Sequence, residues 1–125
     1  MTLEPGRRVL VVDDDRSVRD VLTKVLIQRG FTVTAAASGE EALAFLGKTK
    51  FDLMLLDLRM PPGLNGMDVL PSALDLDAEL PILILTAVAD LNTAARAMQL
   101  GARDFLTKPV DLAALYSVID KTLTK

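Results

Sequence analysis

Three apolar runs in this chain end abruptly in charge: Val11-Val12-Asp13-Asp14-Asp15, Leu55-Leu56-Asp57 and Thr107-Lys108-Pro109. Each run reads as a buried strand. In an open parallel sheet the strand C-termini share one edge, and ligands bind outside it where the strand order reverses. Strands ending at Asp13 and Asp57 would be neighbours at such a point. Three crowded carboxylates cannot all ionise unaided. A hard cation such as Mg²⁺, which takes oxygen ligands in octahedral geometry, would relieve the repulsion. It would also neutralise a phosphoryl group in transfer. An Asp can itself be the nucleophile and form an acyl phosphate. Taken singly, these residues have plainer readings: a solvated acidic loop, a surface Lys108, a strand Thr86, a core Phe105. Their joint placement on one sheet edge outweighs those readings.

The elements that must position this cluster are legible as an alternation. Strand-length runs occur at Val9–Val12, Phe31–Ala36, Phe51–Leu56, Pro81–Leu85 and Asp104–Leu106. Between them lie segments of helical period. Val18, Val21, Leu22, Val25 and Leu26 define one amphipathic face over 16–29, and Gly30 follows as its stop. Ser38-Gly39-Glu40-Glu41 fits a capping box, opening a helix to about Leu46. A third helix is expected over Gly66 to Leu74, disturbed at Pro71. A fourth runs from about Asp90 to Leu100, ending at Gly101. Asp111 caps a fifth that carries Leu112, Leu115, Ile119 and Leu123. Asp15 reads as a first-turn charge favoured by the helix dipole. The order βαβαβαβαβα implies one α/β domain, a parallel sheet with helices on both faces and right-handed crossovers.

Composition removes several function classes. At 125 residues, half hydrophobic and a quarter charged, the chain supports one real core. The net charge is −3, with no basic stripe, so nucleic-acid binding by phosphate neutralisation is not expected. There is no Cys and no His, which excludes disulfides, thiolate metal sites and an imidazole base. Met1 to Arg8 carries no apolar signal region, and no 18-residue apolar span occurs, so a soluble cytoplasmic protein is expected.

With Val-Val-Asp-Asp-Asp (11–15), Leu-Leu-Asp-Leu-Arg-Met-Pro (55–61), Leu-Thr-Ala (85–87) and Thr-Lys-Pro (107–109) in this order, the chain closely resembles the receiver domains of two-component response regulators. The resemblance covers about residues 7–124 of a single domain, 1–125. It implies a flavodoxin-like doubly wound (βα)5 fold with strand order 2-1-3-4-5. It makes Asp57 the acceptor of a phosphoryl group from a histidine kinase's phosphohistidine, or from a phosphotransfer protein. It gives Mg²⁺ to Asp13, Asp14, Asp57 and the Arg59 backbone carbonyl. Thr86 would bond a phosphoryl oxygen, Lys108 would pair with the phosphoryl group, and Thr86 with Phe105 would form the switch. A cis bond at Lys108-Pro109 is implied too, the only kind of peptide bond where cis is cheap. Such a domain is not an enzyme on external substrates. It controls an output domain outside this chain or a separate partner. The fourth-helix, fifth-strand and fifth-helix face is where a homodimer would form.

Two departures qualify the resemblance. Pro61-Pro62-Gly63-Leu64-Asn65-Gly66 is one residue longer than the usual spacing after the acceptor, and we expect it to alter partner contact or phosphoryl lifetime. Arg59 and Val88, two positions past Asp57 and Thr86, offer no group to orient water, so slow self-dephosphorylation is expected. Three other readings compete. A haloacid-dehalogenase-like phosphatase would use Asp13 as nucleophile and leave Asp57 unexplained. A flavodoxin-like FMN binder would need a phosphate loop that the acidic triplet repels. A receiver fold signalling without phosphate would leave the intact acid cluster idle.

Overall fold

The computed structural model describes residues 7–61 and 63–124. Along them run β1 (Arg8–Val12), α1 (Arg16–Gln28), β2 (Thr32–Ala36), α2 (Gly39–Leu46), β3 (Leu53–Asp57) and α3 (Gly66–Leu76). Then come β4 (Ile82–Thr86), a 3₁₀ turn (Val88–Asp90), α4 (Leu91–Gln99), β5 (Asp104–Thr107) and α5 (Leu112–Leu123). The strands form one parallel sheet in the order β2-β1-β3-β4-β5, as the resemblance implies. Strand order reverses at β1, so the crevice between the C-terminal ends of β1 and β3 is the ligand position this topology offers.

Why the strands read as continuous apolar runs is clear from their two faces. Even-numbered Leu10, Val12, Met54, Leu56, Ile82 and Ile84 pack with Ala42, Val69, Leu70, Ala73, Ala94 and Ala97 of α2, α3 and α4. Odd-numbered Val9, Val11, Leu53, Leu55, Leu83 and Leu85 pack with Leu22, Leu26, Leu115 and Ile119 of α1 and α5. A strand buried on both faces, as β3 and β4 are, has no polar alternation to display. β5, expected to be a buried strand, buries only Leu106, because it is an edge strand.

Several local expectations are met, and some are corrected. Ser38 Oγ accepts from the Glu41 amide at 3.1 Å, and Glu41 Oε1 reaches back to the Ala37 amide at 2.9 Å, one residue further than a standard capping box. Gly30 and Gly101 close α1 and α4 with positive φ, 95° and 118°. Asp15 is the N-cap of α1, not a first-turn charge: its Oδ1 accepts from the Ser17 amide and hydroxyl at 2.9 and 2.7 Å. α3 continues through Pro71 to Leu76, two residues past the expected end. α4 begins at Leu91, because the 3₁₀ turn takes up Asp90. β3 and β4 each start later than expected and extend one residue further, so that Asp57 and Thr86 are themselves ladder residues. Pro81 cannot donate to the ladder, although its carbonyl accepts from the Met54 amide. The reading of Met1 to Arg8 falls mostly outside the described residues, and so does Pro62 of the long loop.

Candidate functional site

The site is assembled by backbone before side chains enter. The Asp13 amide donates to the Ala36 carbonyl, extending the β1–β2 ladder by one residue and fixing Asp13 over the crevice. Asp57 pairs with Leu85 in the β3–β4 register. The Lys108 amide donates to the Thr86 carbonyl at 2.7 Å, which brings the β5–α5 connection over the end of β4. The Lys108-Pro109 bond is cis. Gly66 is a close-approach residue: its amide donates to the Leu58 carbonyl at 2.9 Å. A Cβ there would collide with the Asp57 carbonyl oxygen and stand 2.8 Å from the Leu58 Cα.

On this frame the expected acids converge. Asp13, Asp14 and Asp57 each offer a carboxylate oxygen, all within 4.8 Å of one another. Asp13 is fully buried and Asp57 almost so, whereas Asp14 is exposed. Asp13 Oδ1 accepts from the Asp15 amide at 2.9 Å. Asp13 Oδ2 is buried without a well-directed hydrogen bond, and the Lys108 ammonium stands 2.7 Å away. Lys108 Nζ also lies 3.4 Å from Asp57 Oδ1. Burial, and then the Asp13 charge, drive the Asp57 carboxyl up to about 7, against the pull of Lys108. Burial disfavours the Lys108 charge, yet the close Asp13 carboxylate and the Asp57 charge outweigh it and hold its pKa above the usual value.

This donor set fits a hard cation. It consists of oxygens alone, one buried oxygen is short of hydrogen bonds, and the negative charge exceeds what one lysine neutralises. Asp57 opens onto a cavity of about 200 Å³, lined also by Asp14, Arg59, Thr86, Asp90 and Lys108. Thr86 is buried at the end of β4, with its hydroxyl 3.3 Å from the Ala87 carbonyl. Phe105 lies on β5, partly exposed to solvent and not in the core.

A family model for the response regulator receiver domain matches residues 9–120. The chain belongs to that family. This receiver is 39% identical over 116 residues to the DNA-binding transcriptional regulator NtrC of Salmonella typhimurium, covering 93% of the chain and 24% of that relative. It is 40% identical over 115 residues to the transcriptional regulatory protein GlrR of Escherichia coli, covering 92% and 26%. The receiver thus spans about a quarter of the length of these relatives. Among solved structures, the receiver domain of NtrX from Brucella abortus superposes with a TM-score of 0.89 at 29% identity, covering 94% of this chain and 99% of that one. A CheY-like receiver from Methanospirillum hungatei gives 0.88 at 30%, covering 94% of each chain.

Three residues around the receiver's site escaped sequence reasoning. Arg19 Nη1 donates to the Asp13 carbonyl at 2.8 Å and anchors the acidic loop to α1. Glu40 accepts from the Leu64 amide at 3.3 Å, tying the long loop to α2. Asp90 receives two bonds from Arg59, Nε to Oδ2 at 2.7 Å and Nη2 to Oδ1 at 2.6 Å. No spacing rule flags pairs separated by 24 or 31 residues. As N-cap of α4, Asp90 gives no side-chain cap bond, because its carboxylate is spent on Arg59.

Proposed function

We propose that this receiver is the phosphoacceptor of a two-component system, with Asp57 as the acceptor. The observation that carries the reading is the placement of Asp57. Its carboxylate opens onto the cavity that Lys108 and Thr86 also line, while Asp13 does not line it. An Asp57 oxygen forms the new bond to phosphorus as the P–N bond of the donor's phosphohistidine breaks, and the imidazole nitrogen keeps the electron pair. The Lys108 ammonium, already 3.4 Å from Asp57 Oδ1, is placed to pair with the transferred group. Asp13, Asp14, Asp57 and the Arg59 carbonyl would hold Mg²⁺, which supplies charge neutralisation when bound. The domain turns over no external metabolite; its chemistry ends with loss of its own phosphoryl group.

The signal leaves through β4 and β5. Thr86 Oγ1 now faces the Ala87 carbonyl, and Phe105 is turned outward. A phosphoryl oxygen on Asp57 would draw the hydroxyl away and open room for the ring, shifting the population between two conformers. Val88, Leu91, Leu100 and Phe105 are exposed along the 3₁₀ turn, α4 and β5, and a homodimer or output contact would form on the face of α4, β5 and α5. Relatives about four times as long support an output domain beyond these 125 residues. Among the described residues no helix is long and apolar enough to cross a membrane, which agrees with a cytoplasmic location. Val88 and Arg59 place no water-orienting group at the acceptor, consistent with slow self-dephosphorylation. The test is labelling by acetyl phosphate: we expect it with Mg²⁺ and its loss on chelation. Undiminished labelling in chelator would contradict the metal assignment.

A further inference from the structure

The Arg59–Asp90 pair is the shared wall of two cavities. Leu58, Arg59 and Asp90 line both the 200 Å³ cavity over Asp57 and a neighbouring groove of about 450 Å³ between the loop after β3 and the start of α4. The contact is a two-bond fork at 2.6 and 2.7 Å, the geometry in which a guanidinium is held most firmly. Its two ends differ. The Asp90 side chain is only 10% exposed and sits on a hydrogen-bonded turn, its amide donating to the Ala87 carbonyl at 2.9 Å. The Arg59 side chain is 76% exposed and would move freely without it.

Arg59 is two residues from Asp57, and its amide is 3.4 Å from Asp57 Oδ1. Three carboxylates stand there against a single lysine. A free guanidinium on a long, flexible stem so close to surplus negative charge would compete with any cation for it.

We propose that Asp90 is a positioning residue that holds the Arg59 guanidinium out of the acid cluster, keeping that cluster open to a divalent cation. The inference rests on the metal reading above and adds a residue that reading does not contain. Asp90 touches neither the cation nor the phosphoryl group; it acts through Arg59 alone.

The experiment is a calorimetric titration of Mg²⁺ into four proteins. Asp90→Asn should bind about fivefold more weakly than wild type, the loss expected when a guanidinium contact worth about 1 kcal/mol is redirected into the site. Asp90→Asn combined with Arg59→Ala should return to the wild-type affinity. Asp75→Asn removes an equal charge from the exposed end of α3 and should change little. In unmutated protein the Arg59 Nε–H should stay protected from exchange with solvent as Mg²⁺ loads, since its bond to Asp90 is kept. Wild type that binds while Asp90→Asn binds equally well, or a double variant that is not restored, would overturn the inference alone. So would loss of that Nε–H protection on metal loading, a result that needs no variant. Wild type that binds no Mg²⁺ would overturn the metal reading and this inference together.

Discussion

Replacing Asp57 by Asn should stabilise the metal-free protein, and the gain should depend on pH. The Asp57 carboxyl is raised from 3.8 to about 7 by burial and by Asp13, so the fold favours its neutral form. Below about pH 3.8 the carboxyl is protonated both folded and unfolded, and it imposes no penalty. Between there and about pH 7 the unfolded chain releases its proton first, so stability falls as pH rises. Above pH 7 the full penalty remains. A displacement of this size corresponds to about 4 kcal/mol at most. Solvent screening at the cavity mouth reduces it to about 2 kcal/mol. Asn removes the charge and keeps the shape. Urea denaturation in chelator should therefore show Asp57→Asn more stable than wild type by about 2 kcal/mol at pH 8, and equal to it at pH 3.5. For a domain of this size that is a melting shift of about 8 °C. Mg²⁺ should narrow the gap by stabilising wild type more. An Asn variant that is less stable at pH 8, or a difference that does not vary with pH, would show that the folded protein does not disfavour a charged Asp57.

The same electrostatics predict that Lys108→Met leaves Asp13 buried and unpaired, lowering stability by about 2 kcal/mol in urea denaturation. Adding Asp13→Asn should recover most of that loss. Gly66→Ala should destabilise by about 2 kcal/mol, because its Cβ meets the backbone of Asp57 and Leu58. Gly63→Ala meets only the mobile carboxylate of Glu40 and should melt within a degree or two of wild type. α4 docks through Ala94 and Ala97, whereas α1 and α5 each bury two large side chains. Hydrogen exchange should accordingly find α4 opening at lower free energy than α1 or α5.

The sheet and the acid cluster were legible because period and charge coincide at the strand ends. Asp13 and Asp57 each end an uninterrupted apolar run, and Lys108 follows the short strand Asp104–Thr107, so a parallel ladder alone brings them to one edge. Capping chemistry was equally local: Ser38, Gly30 and Asp111 act within four residues of themselves. Asp15 stands at a helix start, as its position in the sequence implies, but it caps the helix and is not a first-turn charge, because charge and cap look alike in sequence. Pro71 shows the opposite failure. Its ring removes a donor, but Leu70 and Ala73 are buried on the same helix, and packing carries α3 through. The long-range polar pairs could not be read at all. Glu40 and Asp90 acquire partners only once the fold has closed, so nothing in their neighbours marks them, and Arg19 reaches a backbone carbonyl six residues back, which no side-chain pairing pattern marks.

The most direct test of the central claim is chemical trapping of the phosphorylated residue. After incubation with acetyl phosphate and Mg²⁺, borohydride reduces an aspartyl phosphate to homoserine, which mass spectrometry locates in a peptide. Homoserine is expected at position 57 in wild type, with no label in Asp57→Asn. Homoserine at position 13 or 14, or labelling of Asp57→Asn at the wild-type rate, would contradict it.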